Sequence, residues 1–575
     1  MELFLIDAIG PFFRGHQRRR INWSKIPFHH LALKGPEPER RAQFDRIAED
    51  MRLFTSRVRA MGYNAVSLDD VAHLADHPWY EEEHRSTVRI LQKEFRRLYA
   101  GIRTEGLAIY VTMDVLSFTP QLRLRLGQDH KKIAAFVREL LAGLFSEFPE
   151  ISGIILRVGE SDGRDVKGLL RSELCLRKPG QLNYLLKTLL PLFEEEKRRL
   201  ILRNWTVGAY SIGDFIWHRK TLAQVLTGID SKAFVLSLKY GESDFFRYLD
   251  VNPHFFETPV QKIVELQARR EYEGCGEYPS FIGGDYAAYA HALTKAENML
   301  GISVWCQTGG WLPFRRLAFL DADAVWTEIN AFVCVQLFRD RVDPGEAVRR
   351  YAKAHGILAP EALLQLLVLS EEVVKELLYL PEYARRRLFF RRVRIPPLLA
   401  VYWNTLFINH SIRKLMRSFV CDQRRSIAGA YRALAKIDRM IDLAQEAALP
   451  VEDIRFMRES FFLFALAREY YFLPYSQEIR SRIRRAKKRY KRHYPPGSRY
   501  RYRIKTSFRP FRMKRRYLGW LSRVLLRSQP GYRLLDRLVF LHLLSLGYGL
   551  LHRAQPKILP KFARKNAMGL GTVFK

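Results

Sequence analysis

Cysteine is scarce in this chain. There are five in 575 residues, Cys175, Cys275, Cys306, Cys334 and Cys421, an odd number with no CxxC pair. That excludes a disulfide framework and a cysteine-held zinc cluster, and it reads as a reducing, cytoplasmic setting. Long apolar runs are missing too: no stretch reaches the roughly 20 residues that span a bilayer. The opening MELFLIDAIGPFF has no cationic segment ahead of its apolar run, so it reads as a buried strand and not a signal peptide. No GxGxxG turn follows that strand, which removes the dinucleotide-binding form of an open sheet. His29 and His30 show no ligand spacing to other His, Cys or acids, and neither a metal nor a cofactor is expected. Acids are also outnumbered, 60 Asp and Glu against 96 Lys and Arg, for a formal net charge of +36. That excess predicts an anionic partner, whether nucleic acid, anionic lipid or acidic glycan, and says nothing about fold.

What the chain does have is a rhythm. Apolar runs of strand character recur at 2–8, 64–70, 107–114, 151–160, 200–205, 233–241, 262–267 and 301–306. Helical patterns fill the gaps, among them 41–61, 130–145 and 181–199. Eight strand–helix units predict a (β/α)8 TIM barrel, with a doubly wound open sheet as the competing α/β arrangement. After about residue 345 the strand signals stop and helical periodicity takes over. The expected organisation is therefore a barrel over 1–345, a helical domain over 346–475, and a basic, partly amphipathic C-terminal segment over 476–575.

In such barrels chemistry sits at the carboxyl ends of the strands. Here those ends carry Asp69 and Asp70, Asp114, Arg157 and Glu160, Arg203 and Trp205, Lys239 with Glu242 and Asp244, Glu271, and Trp305 with Gln307 and Trp311. Barrel interiors prefer branched apolar residues, so charges and aromatics at corresponding ends of several strands point to a site. Carboxylates for acid–base work, aromatics to pack on sugar rings and cations to pair with a substrate carboxylate suit cleavage of an acidic glycan. The densest stretch is VELQARREYEGCGEY, 264–278, where an apolar strand opens into Arg269, Arg270, Glu271, Glu273 and Glu277. Crowded charge of this kind shifts pKa values, although an ion-paired loop that only holds itself together gives the same pattern.

Over residues 20–350 these segments resemble the glycoside hydrolase family 67 α-glucuronidases. MGYNAVSLDDV and LAIYVTMDVLSFTP are similar to that family's second- and third-strand segments, and GIILRVGESDG to the strand that ends in its catalytic acid. ILRNWTVGAY, LSLKYGESDFF and ELQARREYEG resemble its W-R-x-F-V-Y, I-K-x-G-P-x-D-F and E-x-Q-x-x-Q-E-Y-x-G strands. The segment ADAVWTEINAFVCVQLFRDRVDPGEAV resembles its exit helix. The resemblance implies an inverting glycosidase with Glu160 as general acid and Asp244 and Glu271 as the carboxylates that activate water. It implies Lys239 and Arg203 on the substrate carboxylate, and Arg157 where the family has a lysine. Trp205, Trp305, Asp114 and Asp70 are the further substrate-contact candidates. The family's helical C-terminal region makes dimer contacts, which implies a homodimer by analogy.

The stretch 480–516 holds 18 Lys and Arg and no acid, with Tyr490, Tyr494, Tyr500, Tyr502, Phe508 and Phe511 interleaved. An apolar run, LVFLHLLSLGYGLL at 538–551, follows and is too short to span a bilayer. A polybasic segment beside an apolar stretch predicts contact with an anionic membrane surface, on its inner face, through 480–551. Nucleic acid is the less favoured partner, and a solvated basic surface docked on the domain's own core is the bland alternative.

Overall fold

The computed structural model of the chain describes residues 1–16, 19, 21–158, 169–205, 212, 219–307, 309, 316–390, 393–498 and 501–508, with 517, 520, 526–528, 546 and 550 beyond.

Eight parallel strands close into a barrel: β1 (Leu3–Asp7), β2 (Ala65–Leu68), β3 (Ala108–Asp114), β4 (Ile151–Arg157), β5 (Arg199–Arg203), β6 (Phe234–Lys239), β7 (Gln261–Gln267) and β8 (Met299–Trp305). Each strand pairs with its sequence neighbour, and β1 closes the ring against β8 with Leu3 opposite Gly301 and Ile6 opposite Val304. The crossovers include α1 (Glu37–Ala60), α2 (Glu82–Thr104), α3 (His130–Glu147), α4 (Pro179–Glu195), α5 (Arg219–Leu226) and α6 (Gly283–Ala292), and α7 (Val325–Val335) follows the last strand. Between β6 and β7 the crossover helix shrinks to one turn, His254–Glu257. Local chemistry places the helix ends. Asp129 caps α3 by accepting from the Lys131 and Lys132 amides. In α1, Glu37 and Glu39 lie in the first turn and Arg57 and Arg59 in the last, each sign facing the favourable end of the helix dipole.

Strand alternation splits the core in two. One parity of each strand, as in Ile6, Val66, Val111, Leu156, Leu202, Leu236, Leu266 and Val304, packs against the helices. The other parity points into the barrel and forms its own cluster of Leu3, Leu5, Ala65, Tyr110, Ile155, Ile201, Val235 and Ile263, which Leu300 joins through a register shift in β8. Continuing that inward parity toward the carboxyl ends gives Asp7, Asp69, Asp114, Arg157, Arg203, Lys239, Glu265 and Trp305, all buried. The lumen thus changes from hydrocarbon to charge along its axis.

The C-terminal region is helical but not free of strands, contrary to expectation. Helices α8 (Pro344–Ala354), α9 (Pro360–Val373), α10 (His410–Phe419), α11 (Gln423–Glu446), α12 (Val451–Phe472) and α13 (Gln477–His493) surround a three-stranded sheet. Its strands are β9 (Val401–Tyr402), β10 (Thr405–Asn409) and β11 (Arg503–Ser507). Short pairings also join Phe389–Phe390 to Val393–Arg394. These strands are two to five residues long, too short to show a period of two above the helical background. The division at 475/476 is not a seam in the packing. Strand β11, from the basic segment, pairs in parallel with β10 from Thr405↔Arg503 to Asn409↔Ser507, and α13 buries Ile479, Ile483, Ala486 and Tyr490. Among the described residues no helix is long and apolar enough to cross a membrane.

Candidate active site

The segment after β7 is the centre of the molecule. Every residue from 262 to 283 is buried, although 268–282 is a loop. A buried loop must satisfy its own polar groups, and this one does so with two separate charge systems. The first is structural. Glu273 is fully buried between Arg247 (3.0 Å) and Arg270 (2.6 Å) and also accepts from the Tyr379 hydroxyl at 2.8 Å and the Ser280 hydroxyl at 2.6 Å. Burial alone raises its carboxyl, but the two guanidiniums outweigh that and hold it far below the carboxylate range. Glu273 therefore ties the loop to the helix region that bears Tyr379. Part of this stretch is an ion-paired loop holding itself together.

The second system is different. Lys239, at the end of β6, holds Asp244 at 2.5 Å, and the Tyr272 hydroxyl donates to the other Asp244 oxygen at 2.5 Å. The Lys239 ammonium also sits 3.6 Å from the Trp205 ring centroid and 4.4 Å from that of Phe245. Burial pushes Asp244 upward, but Lys239 and the Tyr272 hydrogen bond overcome it and leave the carboxyl below its ordinary value. Asp244 keeps 20% of its side-chain surface open. Glu271 has the opposite fate. Burial first and the nearby Asp244 charge second push it up to about 7, against the opposing pull of Arg269 and Lys239. Gln267 accepts from the Glu271 amide at 2.7 Å, and Gly309 packs against the carboxyl. A Cβ at 309 would fall 2.8 Å from the Glu271 carboxyl and 2.1 Å from the Arg269 guanidinium, at a φ of +139°, so that wall admits glycine alone.

One residue at this pair comes from far along the chain. Trp403, 132 positions away, donates its indole N–H to Glu271 Oε1 at 3.0 Å. It occupies the turn between β9 and β10 with φ +49°, a left-handed conformation that a bulky side chain adopts only under constraint. Its ring lies parallel to Tyr272 (10°, centroids 6.2 Å apart) and against Tyr402 at 4.6 Å, and it remains 38% exposed.

The remaining sequence-derived candidates divide by parity. Asp114 and Arg157 pair at 2.7 Å inside the mouth, where Asp114 is also held by Lys25 and by the Ser172 hydroxyl at 2.7 Å. Arg203 is clamped by Glu265 through two bonds of 2.8 and 3.0 Å, and its guanidinium lies 4.9 Å from the Trp305 ring centroid. Asp70 has the outward parity. It caps the short helix Val71–Leu74 and bonds His73 Nδ1 at 2.6 Å, so it is taken up locally, whereas Asp69 faces inward toward Arg157. Arg203, Lys239 and Arg157, expected on a substrate carboxylate, are each matched already by a carboxylate of the protein. Glu160 and Trp311 lie outside the described residues.

Sequence reasoning missed Glu265, Lys25, Tyr272 and Trp403. Glu265 had a signal: in KIVELQ it shares the inward parity of Ile263 and Gln267. Lys25 and Trp403 had none, because only the fold brings them near.

No family model matches the chain, and no curated protein matches it. Solved structures do. The chain is similar to a GH138 enzyme targeting pectin rhamnogalacturonan II, with a TM-score of 0.51, 12% identity, and coverage of 86% of this chain and 76% of that one. It is also similar to a Thermobaculum terrenum O-GlcNAc hydrolase mutant, with a TM-score of 0.36, 10% identity and coverage of 80% and 88%, and to CpGH84B, with 0.39, 8%, 77% and 71%. These neighbours are glycoside hydrolases. At such identity the first likeness speaks for the fold alone and the other two carry no argument, so the chemistry rests on the site.

Proposed function

We propose that this chain is a glycoside hydrolase whose reacting groups are Asp244 and Glu271. The observation that carries the reading is the opposite displacement of two neighbouring carboxyl groups. Glu271 keeps a proton to about pH 7, while Asp244 is ionised and partly open to solvent. Glycoside cleavage asks for that division of labour. Glu271 protonates the glycosidic oxygen as its bond to the anomeric carbon breaks. Asp244 takes a proton from the water whose oxygen bonds to that carbon and releases it to solvent, and solvent returns a proton to Glu271. This is the inverting course. Trp403, bonded to Glu271, and Trp205, under the Lys239 ammonium, supply aromatic surface beside the pair.

The resemblance to family 67 favours a uronic acid as the sugar and gives the acid role to Glu160 instead. The two assignments separate experimentally. Aryl glycosides and uronides with good and poor leaving groups are to be hydrolysed by wild type, E271Q, E160Q and D244N. Loss of the general acid spares substrates with good leaving groups, whereas loss of the base does not. The expected result is that pattern in E271Q and a uniform loss in D244N, with the first-formed anomer inverted by NMR. Wild-type turnover in both D244N and E271Q would sink the reading.

A further inference from the structure

The barrel mouth does not account for the charge of the chain, because its cations are matched by carboxylates: Arg157 and Lys25 by Asp114, Arg203 by Glu265, Lys239 by Asp244. Part of the surplus is gathered elsewhere. Helix α13 turns Arg484, Lys488 and Lys491 outward, and spacings of four and three residues put them on one face. Strand β11 lies beside it, tied by Lys487 Nζ to Thr506 Oγ1 at 3.0 Å. By alternation β11 buries Ile504 and exposes Arg503 and Lys505 on the side of the strand away from Thr506, so its cations flank the α13 row along the edge of the sheet. Among the described residues the ion pairs of α13 are made by Arg482 with Glu469 and His493 with Glu459, which leaves the outward row without carboxylates. Like charges one helical turn apart repel. Behind burial, Lys491 pushes the Lys487 ammonium down. The free protein bears this repulsion, and an anionic chain laid along the face relieves it.

The row also has a starting point. Arg503 is in register with Thr405, two residues from Trp403, and its amide donates to the Asn404 carbonyl. The cations therefore lead away from the turn whose tryptophan holds Glu271. We propose that the outward face of α13 and β11 is a docking surface for a linear polyanion, the carboxylate-bearing glycan chain that is cut at Asp244 and Glu271. Only the identification of the bound chain with the substrate rests on the glycosidase reading. A bilayer or a duplex would use the charge, but neither requires the row to begin beside the turn whose tryptophan holds Glu271.

The test uses the full chain and a variant with R484Q, K488Q, K491Q, R503Q and K505Q, all outside the catalytic machinery. Binding is measured by calorimetry to polygalacturonate, to neutral dextran, to vesicles of phosphatidylcholine with phosphatidylserine, and to duplex DNA, over a salt series. The expected result is polygalacturonate binding that weakens at least tenfold in the variant and with rising salt, and no dextran binding. Unfolding temperature should be unchanged or raised, since repulsion is removed. Turnover of a small aryl uronide should stay at the wild-type value while KM for the polymer rises. Equal polygalacturonate binding by both proteins overturns the proposal, as does tighter binding to vesicles or DNA than to polygalacturonate. If neither protein hydrolyses any glycoside but the variant still loses polygalacturonate binding, the surface stands and the glycosidase reading falls.

Discussion

At the scale of single residues, two carboxyl groups on adjacent barrel loops differ in what each faces. Asp244 faces an ammonium and a phenol; Glu271, more deeply buried, faces an indole, the Gln267 amide, the Arg269 guanidinium and the Asp244 charge. In the proposed reaction the protonated form of Glu271 is the active one, so kcat/KM should fall as pH rises through about 7, the value to which burial lifts it. E271Q should lose at least about 100-fold on poor leaving groups, the lower end of what one proton-transfer group contributes. Trp403 offers a finer check. An N–H donated to a carboxylate favours the ionised form, so removing it raises the pKa. W403F should therefore move the basic limb of the pH profile upward while retaining the ring. Carbon-13 NMR of the Glu271 carboxyl in both proteins would read the same shift without any substrate. An unmoved titration would show that the indole only packs there.

At the scale of elements, the loop from 268 to 282 holds its shape through Glu273, since it lacks regular backbone ladders of its own. Removing one partner of a buried ion pair leaves an uncompensated charge and costs about 3–5 kcal/mol. E273Q should lower the denaturant midpoint by a corresponding amount and disturb the loop that carries Glu271. A loss below about 1 kcal/mol would mean that Tyr379 and Ser280 carry the loop unaided. The turn between β9 and β10 is the second element on which the site depends. Its left-handed Trp403 is strained alone and is held by β10, which is flanked by β9 on one side and β11 on the other.

At the scale of the whole molecule, that arrangement makes the basic segment part of the folded body. A chain ending at residue 475 would lose β11 and α13, leaving β10 half paired and uncovering the Tyr278 hydroxyl that meets Tyr502 at 2.5 Å. It should unfold at a lower temperature and lose turnover, since the support of Trp403 goes with it. A truncated protein with the unfolding temperature and turnover of the full chain would restore 476 as a true boundary. Acid stability follows from the mouth. Burial raises Asp114, but Arg157 and Lys25 outweigh it and bring it down to about 2. A carboxyl depressed in the folded state stabilises above its unfolded value near 4 and loses that contribution as pH falls toward about 2. D114N should flatten the acid limb of the unfolding free energy.

The sequence by itself determined the barrel. All eight strand segments were legible because a strand that must pack on helices writes a continuous apolar signature into its own few residues. It also determined which types of residue stand at the strand ends, since position on a barrel strand is set by local order. It did not determine which of them meet. Asp69 and Asp70 are adjacent in sequence, and only the direction of the pleat sends one inward and the other to a helix cap. Arg203 and Lys239 looked available for a substrate, and only cross-strand packing gave Glu265 and Asp244 to them. Trp403 had no mark in the sequence at all. Its turn is too short to carry a period, and its role exists only because closure of the C-terminal sheet over the barrel mouth brings an indole to a buried carboxyl. Contacts between distant segments are decided by tertiary packing, and the charge states that make the site follow from those contacts.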